Sequence, residues 1–132
     1  AQAGVGLSIL PRLEDINRQR RQRAAQIEEA LQPSYRVKAL DIAEQAEPFF
    51  LRFPLLAQSF EQREALFDQL WSAGIGVGRL YEKTLPAIYF PEQAASFPGA
   101  DAVARRLLTL PTHHYVRDQD VMLMKAILHA FS

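Results

Sequence analysis

The 132-residue sequence lacks cysteine, which excludes disulfide bonds and thiolate metal sites. It also lacks net charge, because 15 lysines and arginines balance 15 aspartates and glutamates. No overall electrostatic field therefore favours nucleic acid or an anionic membrane as a partner. Apolar runs of the ~18–20 residues that cross a bilayer are absent, as are the charged start and long apolar stretch of a signal peptide. We expect a cytoplasmic protein that binds neither nucleic acid nor membrane.

The short motifs that mark common active sites are also absent. No serine stands in a G-x-S-x-G context, and no helix start that could hold a phosphate directly follows the alternating glycines Gly74, Gly76 and Gly78. The adjacent His113 and His114 would point to opposite sides of an extended segment, so they are a poor metal pair. We interpret them as turn residues, with a role at a ligand site as the alternative. Read alone, the residues specify neither catalysis nor a metal site.

Apolar residues are plentiful, at 48% of the chain, and the length suits one compact domain. A long helix is predicted to start at Ser8, with Pro11 in its first turn, and to end at Pro33. Spacings of three and four residues predict a single apolar stripe on this helix, formed by Leu13, Ile16, Ala24, Ile27 and Leu31.

The same helix carries four arginines, at positions 18, 20, 21 and 23, flanked by acidic residues. We interpret them mainly as a solvated face with intrahelical ion pairs. One alternative is that Arg20 and Arg23, which lie nearer the apolar stripe, contact another domain or subunit. Nucleic-acid binding is disfavoured because no aromatic–basic platform accompanies the arginines.

The centre of the chain predicts a strand followed by a capped helix. Residues 49–56 are rich in aromatic and aliphatic side chains, and Pro54 suggests an edge position or a bulge. Ser59 is expected to cap the helix, with Gln62 at the capping-box position, and Gly74 to end it. The expected apolar face of this helix is Leu66, Phe67, Leu70 and Trp71.

Short elements and one long loop are predicted in the remainder. Residues 75–78 indicate a short strand, and the proline-containing stretch 82–99 a surface loop. Asp101 is expected to cap a third helix, with a strand over residues 108–111 as an alternative for its last part, and Asp118 to cap the final helix.

Short strands separated by helices predict an α/β fold, in which helices pack on a small sheet. We treat residues 1–132 as a single domain. Within it, residues 1–33 are interpreted as a connecting helix and residues 34–132 as a small α/β domain.

Four separated segments stand in a characteristic order. They are Leu13-x-x-Ile16-Asn17-x-x-Arg20-x-x-x-Ala24; Arg52-Phe53-Pro54-Leu55-Leu56 with Arg63-x-x-Leu66-x-x-x-Leu70; Ala73-Gly74-Ile75-x-Val77 with Tyr81; and Ala104-x-x-Leu107-Leu108-Thr109-Leu110-Pro111-Thr112-His113 with Val116-x-Asp118-x-Asp120. Each motif is weak alone. Together, over nearly the whole chain, they resemble the C-terminal part of DegT/DnrJ/StrS-type aminotransferases.

The resemblance implies the small domain of a fold type I enzyme that uses pyridoxal phosphate (PLP), with a mostly antiparallel sheet. Such enzymes transfer an amino group to a keto sugar on a nucleotide carrier and work as homodimers. Their PLP-binding lysine lies in a large N-terminal domain, which we expect to precede Ala1. Because Lys38, Lys83 and Lys125 match no family position for that lysine, we expect this chain to hold no PLP, no catalytic residue and no activity by itself.

The resemblance also implies substrate contacts from this domain. Arg79 and Tyr81 occupy the segment that approaches the sugar in the family, and His113 matches a further family position; we take these three as candidate substrate-binding residues. Glu82 and Lys83 depart from the family's proline-containing pattern. The alternative to an aminotransferase domain is a non-catalytic interaction module with the same fold.

Overall fold

The computed structural model describes residues 2–31, 36–92 and 97–131. Within these ranges the helices are α1 (Gln2–Ile9), α2 (Leu13–Glu28), α3 (Phe60–Ser72), α4 (Leu85–Tyr89), α5 (Pro98–Arg106) and α6 (Asp118–Phe131). The strands are β1 (Val37–Ala39), β2 (Arg52–Ala57) and β3 (Leu107–Pro111), which form one antiparallel sheet in the order β1-β2-β3. This arrangement confirms the predicted α/β class with a small antiparallel sheet.

The N-terminal helix differs from the sequence prediction at both ends. Ser8 does not cap it, because Ser8 lies inside α1 and its hydroxyl donates to the carbonyl of Val5 at 2.8 Å. Pro11 falls in a 3₁₀ turn between α1 and α2, where a residue without an N–H is tolerated. Helix α2 ends at Glu28, and the predicted stop, Pro33, lies outside the described residues.

Strand β2 is the central strand of the sheet and pairs with β3 without a break from Arg52 to Leu56, so the expectation that Pro54 marks an edge or a bulge is wrong. Pro54 pairs with Thr109 of β3, and Thr109 exchanges both of its backbone hydrogen bonds with Gly78, each at 2.9 Å. Thr109 therefore turns its backbone groups away from β2, and the Pro54 nitrogen faces β1. Because β1 pairs with β2 only from Leu55 onwards, the missing N–H of Pro54 interrupts no bond between strands.

Helix α3 begins and ends where the sequence predicts, but Gln62 does not complete a capping box, because its Oε1 is buried without a hydrogen-bond partner. The Ser59 hydroxyl accepts a hydrogen bond from the backbone N–H of Gln62 at 3.2 Å. At the other end Gly74 has a φ of +80°, and its N–H donates to the carbonyl of Trp71 at 2.9 Å. Glycine adopts this left-handed backbone without the steric penalty of a Cβ atom, so it ends the helix.

The apolar face of α3 differs from the prediction at one residue. Leu66 and Leu70 are fully buried and Phe67 is half-buried, but Trp71 is 62% exposed. Trp71 stacks on Phe67, with ring centroids 5.8 Å apart and planes 11° apart. It therefore lies at the rim of the core, where a neighbouring ring covers one of its faces.

The stretch predicted as a loop over residues 82–99 contains helix α4. Thr84 caps this helix, and its hydroxyl accepts a hydrogen bond from the N–H of Ala87 at 3.3 Å. Helix α5 begins at Pro98, so Asp101 lies in its first turn and is not its cap. Strand β3 follows α5 directly, which confirms the alternative of a strand at the end of this segment.

Helix α6 begins one residue earlier than predicted, because Asp118 belongs to the helix and does not cap it. Asp118 is its first residue, whereas Asp120 accepts a hydrogen bond from the backbone N–H of Arg117 at 2.9 Å. Arg117 also bonds Asp120 through its guanidinium, and this contact holds the pKa of the Asp120 carboxyl below its ordinary value.

One hydrophobic core joins α2, the sheet, α3 and α6. Alternate residues of β2 point into it, as expected for a strand with one buried face. Its fully or almost fully buried members include Ile27, Phe53, Leu55, Leu66, Leu70, Leu108, Leu110, Met124 and Leu128.

Candidate functional site

A groove of about 1130 Å³ lies between residues 80–88 and residues 99–107, and we call it the α4–α5 groove. Its walls are mainly apolar, with side chains that include Leu80, Leu85, Ile88, Val103 and Leu107. Several of these are about half exposed, although large apolar side chains are normally buried. A concave, mostly apolar surface of this size is typical of a site for a small molecule or a partner.

The polar groups of the α4–α5 groove come from four consecutive residues, Tyr81, Glu82, Lys83 and Thr84. Tyr81 is 77% exposed, so its ring and hydroxyl are available to a ligand. A few polar groups on an apolar wall are what fix the orientation of a bound molecule. The groove thus combines an apolar surface with a short polar segment on one side.

The chain enters this segment through a close contact between Gly78 and β3. Gly78 and Thr109 form an isolated antiparallel bridge, and a Cβ atom on Gly78 would lie 2.8 Å from the Thr109 hydroxyl oxygen. Only glycine fits this approach without displacing Thr109. The contact places Arg79, the next residue, at the start of residues 79–84, which we call the groove segment.

Arg79 is held by two neighbours on α3. Its Nη2 donates to Oε2 of Glu64 at 2.7 Å, and its guanidinium carbon lies 3.5 Å from the centroid of the Phe67 ring. Nη1 lies 3.9 Å from Oε1 of Glu82, which is beyond a hydrogen bond. Arg79 therefore joins helix α3 to the wall of the groove.

His113 lies at the opposite end of β3 from Tyr81. The bridge between Gly78 and Thr109 is antiparallel, so residues 79–81 run toward the start of β3 while His113 follows its end. The structure thus brings Arg79 and Tyr81 together beside the groove and leaves His113 apart from them.

The surroundings of His113 disfavour its charged form. Burial lowers the pKa of the His113 imidazole most, and the nearby positive charges of Arg20 and Arg52 lower it further. Its Nδ1 is buried without a hydrogen-bond partner. The ring also packs edge-on against Tyr115, with centroids 6.1 Å apart. His113 is therefore a half-buried residue in a basic environment.

The helix arginines divide into two pairs. Arg18 and Arg21 bind acidic residues of their own helical face, Asp15 and Glu14, which confirms the predicted intrahelical ion pairs. Arg20 donates to the carbonyl of Leu51 at 2.9 Å, and Arg23 lies 3.3 Å from a carboxylate oxygen of Asp118. The second pair therefore fastens α2 to other parts of this same chain.

In the ranges 2–31, 36–92 and 97–131, no three histidine, aspartate or glutamate side chains lie close enough together to hold a metal ion. None of the helices in those ranges is both long enough and apolar enough to span a membrane.

Some features of the groove were not predicted from the sequence. The start of α4 has a recognisable sequence signal, a capping threonine at Thr84 followed by Pro86 in the first turn. This signal could have predicted the helix. The contact between Glu64 and Arg79 joins residues 15 positions apart on different elements, and no local pattern indicates it.

Comparison with known proteins gives a consistent match. The model of the DegT/DnrJ/EryC1/StrS aminotransferase family matches residues 1–128. The fold is similar to the sugar aminotransferase CalS13 from Micromonospora echinospora, with 25% identity and a TM-score of 0.75 over 95% of this chain. It is also similar to DesV from S. venezuelae, solved in complex with a ketimine intermediate (22% identity, TM-score 0.86, 98% of this chain), and to the aminotransferase TlmJ from Streptoalloteichus hindustanus (20% identity, TM-score 0.80, 98% of this chain).

This chain covers 33% of CalS13 and 35% each of DesV and TlmJ, so it spans about a third of their length. A search of curated protein sequences found no match. The family model nevertheless matches almost every residue, in agreement with the order of the sequence motifs. The chain therefore belongs to the DegT/DnrJ/EryC1/StrS aminotransferase family.

Proposed function

We propose that this chain is the C-terminal small domain of a PLP-dependent aminotransferase that acts on a nucleotide-linked keto sugar. The observation that carries the proposal is the family match over residues 1–128 in a chain that spans only about a third of its structural neighbours. On this proposal a large N-terminal domain supplies PLP and its lysine, the whole protein is a homodimer, and this chain is inactive alone.

The α4–α5 groove supports a role in substrate binding. Tyr81 is exposed on its polar side, and Arg79 stands two residues before it, where the chain enters the groove. We propose that these two residues contact the substrate through the phenol hydroxyl and the guanidinium. His113 is proposed as a third contact, at a separate point of the site, because it lies at the other end of β3.

The described residues do not fit a PLP site of their own. Lys38 and Lys125 lie away from the groove, beside the carboxylates of Asp41 and Glu29 at 3.7 and 3.4 Å. Lys83 lines the groove, but a carboxylate precedes it in the chain and most of the wall is apolar. A phosphate dianion needs several donors at one point. We therefore derive no chemical step for this domain.

The proposal is tested on this chain and on the full-length protein that contains it. The isolated chain, mixed with PLP, reduced with borohydride and analysed by mass spectrometry, is expected to carry no specific lysine adduct. The full-length protein, treated in the same way, is expected to carry one adduct outside residues 1–132. It is also expected to consume an amino donor in the presence of a nucleotide-linked keto sugar.

Two results would contradict the proposal. A stoichiometric PLP adduct on Lys38, Lys83 or Lys125 of the isolated chain would place the cofactor here. Failure of the full-length protein to bind PLP at all would favour the alternative, an interaction module that keeps the fold without the chemistry.

A further inference from the structure

Glu64 stands between two arginines at the point where α3 meets the groove segment. Its Oε2 accepts the hydrogen bond from Arg79 Nη2 at 2.7 Å, and its Oε1 lies 2.9 Å from Nε of Arg63, an ion pair without hydrogen-bond geometry. Only 31% of the Glu64 side chain and 24% of the Arg79 side chain are exposed. Partial burial weakens solvent screening, so these contacts are stronger than those of an exposed pair.

Arg63 fixes Glu64 from the interior. It is 4% exposed, its Nη1 lies 3.4 Å from the carbonyl of Ala104 in α5, and its guanidinium lies 4.9 Å from the Phe60 ring centroid. The Glu64 carboxylate is thereby held between a buried cation and Arg79. Because Ala104 also lines the α4–α5 groove, this set of contacts reaches both of its walls.

Two aromatic rings also contact the Arg79 side chain or its aromatic partner. The guanidinium lies over Phe67, and Phe67 stacks on Trp71. A guanidinium over a ring gains cation–π attraction and has a fixed plane. Trp71 is the single tryptophan of the chain, so its fluorescence reports on this stack.

From this geometry we infer that Glu64 is a positioning residue for substrate binding. It holds Arg79 over the Phe67 ring, and Arg79 in turn fixes the direction in which Leu80 and Tyr81 leave the bridge with β3 to form the groove wall. Glu64 itself does not contact the substrate. The inference deepens the proposed function, on which its kinetic consequences rest.

The contact of Arg79 with Glu82 is loose. Nη2 is committed to Glu64, whereas Nη1 lies 3.9 Å from Glu82, whose side chain is 67% exposed. The structure thus leaves Nη1 as the donor that is free to change partner when a ligand enters. Without Glu64, Arg79 would be free to turn toward Glu82, and the wall would lose its fixed orientation.

The first test uses the 132-residue chain and no ligand. In Glu64→Gln, we expect a shift of the Trp71 emission and a displaced Arg79 Nε–H signal in the ¹H–¹⁵N spectrum, because Nε is buried without a hydrogen-bond partner and its signal follows the position of the guanidinium. Asp68→Asn, which removes an exposed carboxylate from the same helix, is the matched control and is expected to leave both signals unchanged. Identical spectra for Glu64→Gln and the parent chain would overturn the inference.

The second test uses the full-length enzyme. Glu64→Gln is expected to raise KM for the nucleotide-linked sugar about tenfold, equivalent to ~1.4 kcal/mol, and to leave kcat within about twofold. In an Arg79→Gln background, the same change is expected to have no further effect on KM, since Glu64 acts through Arg79. An additive increase in the double variant would show a general structural role and contradict the inference.

Phe67→Leu provides an independent variant if Glu64→Gln does not fold. It removes the ring beneath Arg79 and keeps the charges, and it is expected to raise KM in the same direction. The two proposals fail separately: an inactive parent enzyme removes the proposed function, whereas the spectra of the isolated chain still decide whether Glu64 positions Arg79.

Discussion

Arg52 of β2 binds Thr109 of β3 twice, through Nε to the hydroxyl oxygen at 2.8 Å and through Nη2 to the carbonyl oxygen at 2.9 Å. The same Nη2 lies 2.5 Å from the carbonyl oxygen of Gly76. The Arg52 side chain therefore connects β2 to β3 and to the segment around Gly76 that leads to the groove. Its planar fork reaches three acceptors at once, of which the Thr109 carbonyl also accepts from the N–H of Gly78.

Replacing Arg52 with lysine keeps the charge and removes the fork. We expect Arg52→Lys to lower the free energy of unfolding by about 1–3 kcal/mol, because at least one partly buried acceptor loses its partner. Urea unfolding followed by circular dichroism measures the change. Arg12→Lys, at an exposed arginine of the N-terminal region, is the control. Equal effects of the two substitutions would show that the fork is not important for stability.

Gly74 and Gly76 offer a matched pair of glycines. Gly74→Ala puts a Cβ atom on a backbone with a φ of +80° and is expected to destabilise the fold by about 1–2 kcal/mol. Around Gly76 a Cβ atom would meet nothing within 4 Å, so Gly76→Ala is expected to leave stability unchanged or slightly raised. Thermal unfolding of the two variants decides the matter. A larger loss at Gly76 would mean that close packing, not the backbone conformation, selects these glycines.

Features set by neighbours in sequence were predictable, and Ser59 and Gly74 illustrate this. A capping hydroxyl acts on an N–H three residues away, and a glycine stop acts within one turn. The same logic failed at Ser8, because α1 and α2 continue as helix on both sides of the 3₁₀ turn and override the local cap signal. The prediction for Pro54 failed because a distant contact sets the pairing of its strand. Thr109 bonds Gly78, 31 residues away, so the Pro54 nitrogen faces away from β3 and needs no hydrogen-bond partner there.

For the groove, the sequence predicted one residue on its lining and missed the groove itself. Tyr81 followed from the family resemblance, and it does line the groove. The opposite wall comes from α5 and the first residue of β3, and nothing in the spacing of Val103 or Leu107 indicates that they face residues 80–88. Such a surface depends on the relative placement of two helices, which only the tertiary structure shows.

We expect His113 to make the stability of the fold depend on pH. Its pKa is lowered by burial and by Arg20 and Arg52, so the folded chain resists a proton that the unfolded chain accepts near pH 6.5. Above that range the imidazole is neutral in both states and has no effect. As the pH falls through about 6.5, the free energy of unfolding is expected to decrease.

Chemical denaturation at pH 8, 7, 6 and 5.5 tests this dependence. His113→Gln is expected to flatten the profile between pH 7 and 5.5, whereas His129→Gln, at an exposed position of α6, is expected to leave its shape unchanged. Persistence of the full slope in His113→Gln would assign the effect to other groups.

The apolar wall of the α4–α5 groove should be measurable in the isolated chain. Anilinonaphthalene sulfonate is expected to bind the folded chain and gain fluorescence, because the groove leaves large apolar side chains open to solvent. Leu85→Ser combined with Ile88→Ser is expected to reduce this gain severalfold with little change in stability, since both residues are more than half exposed. Leu7→Ser is the control, because Leu7 is 72% exposed on α1 and lies outside the groove. If Leu7→Ser abolished the gain and the groove variant kept it, the dye would bind at α1. That result would contradict the proposal that the α4–α5 groove accepts a ligand.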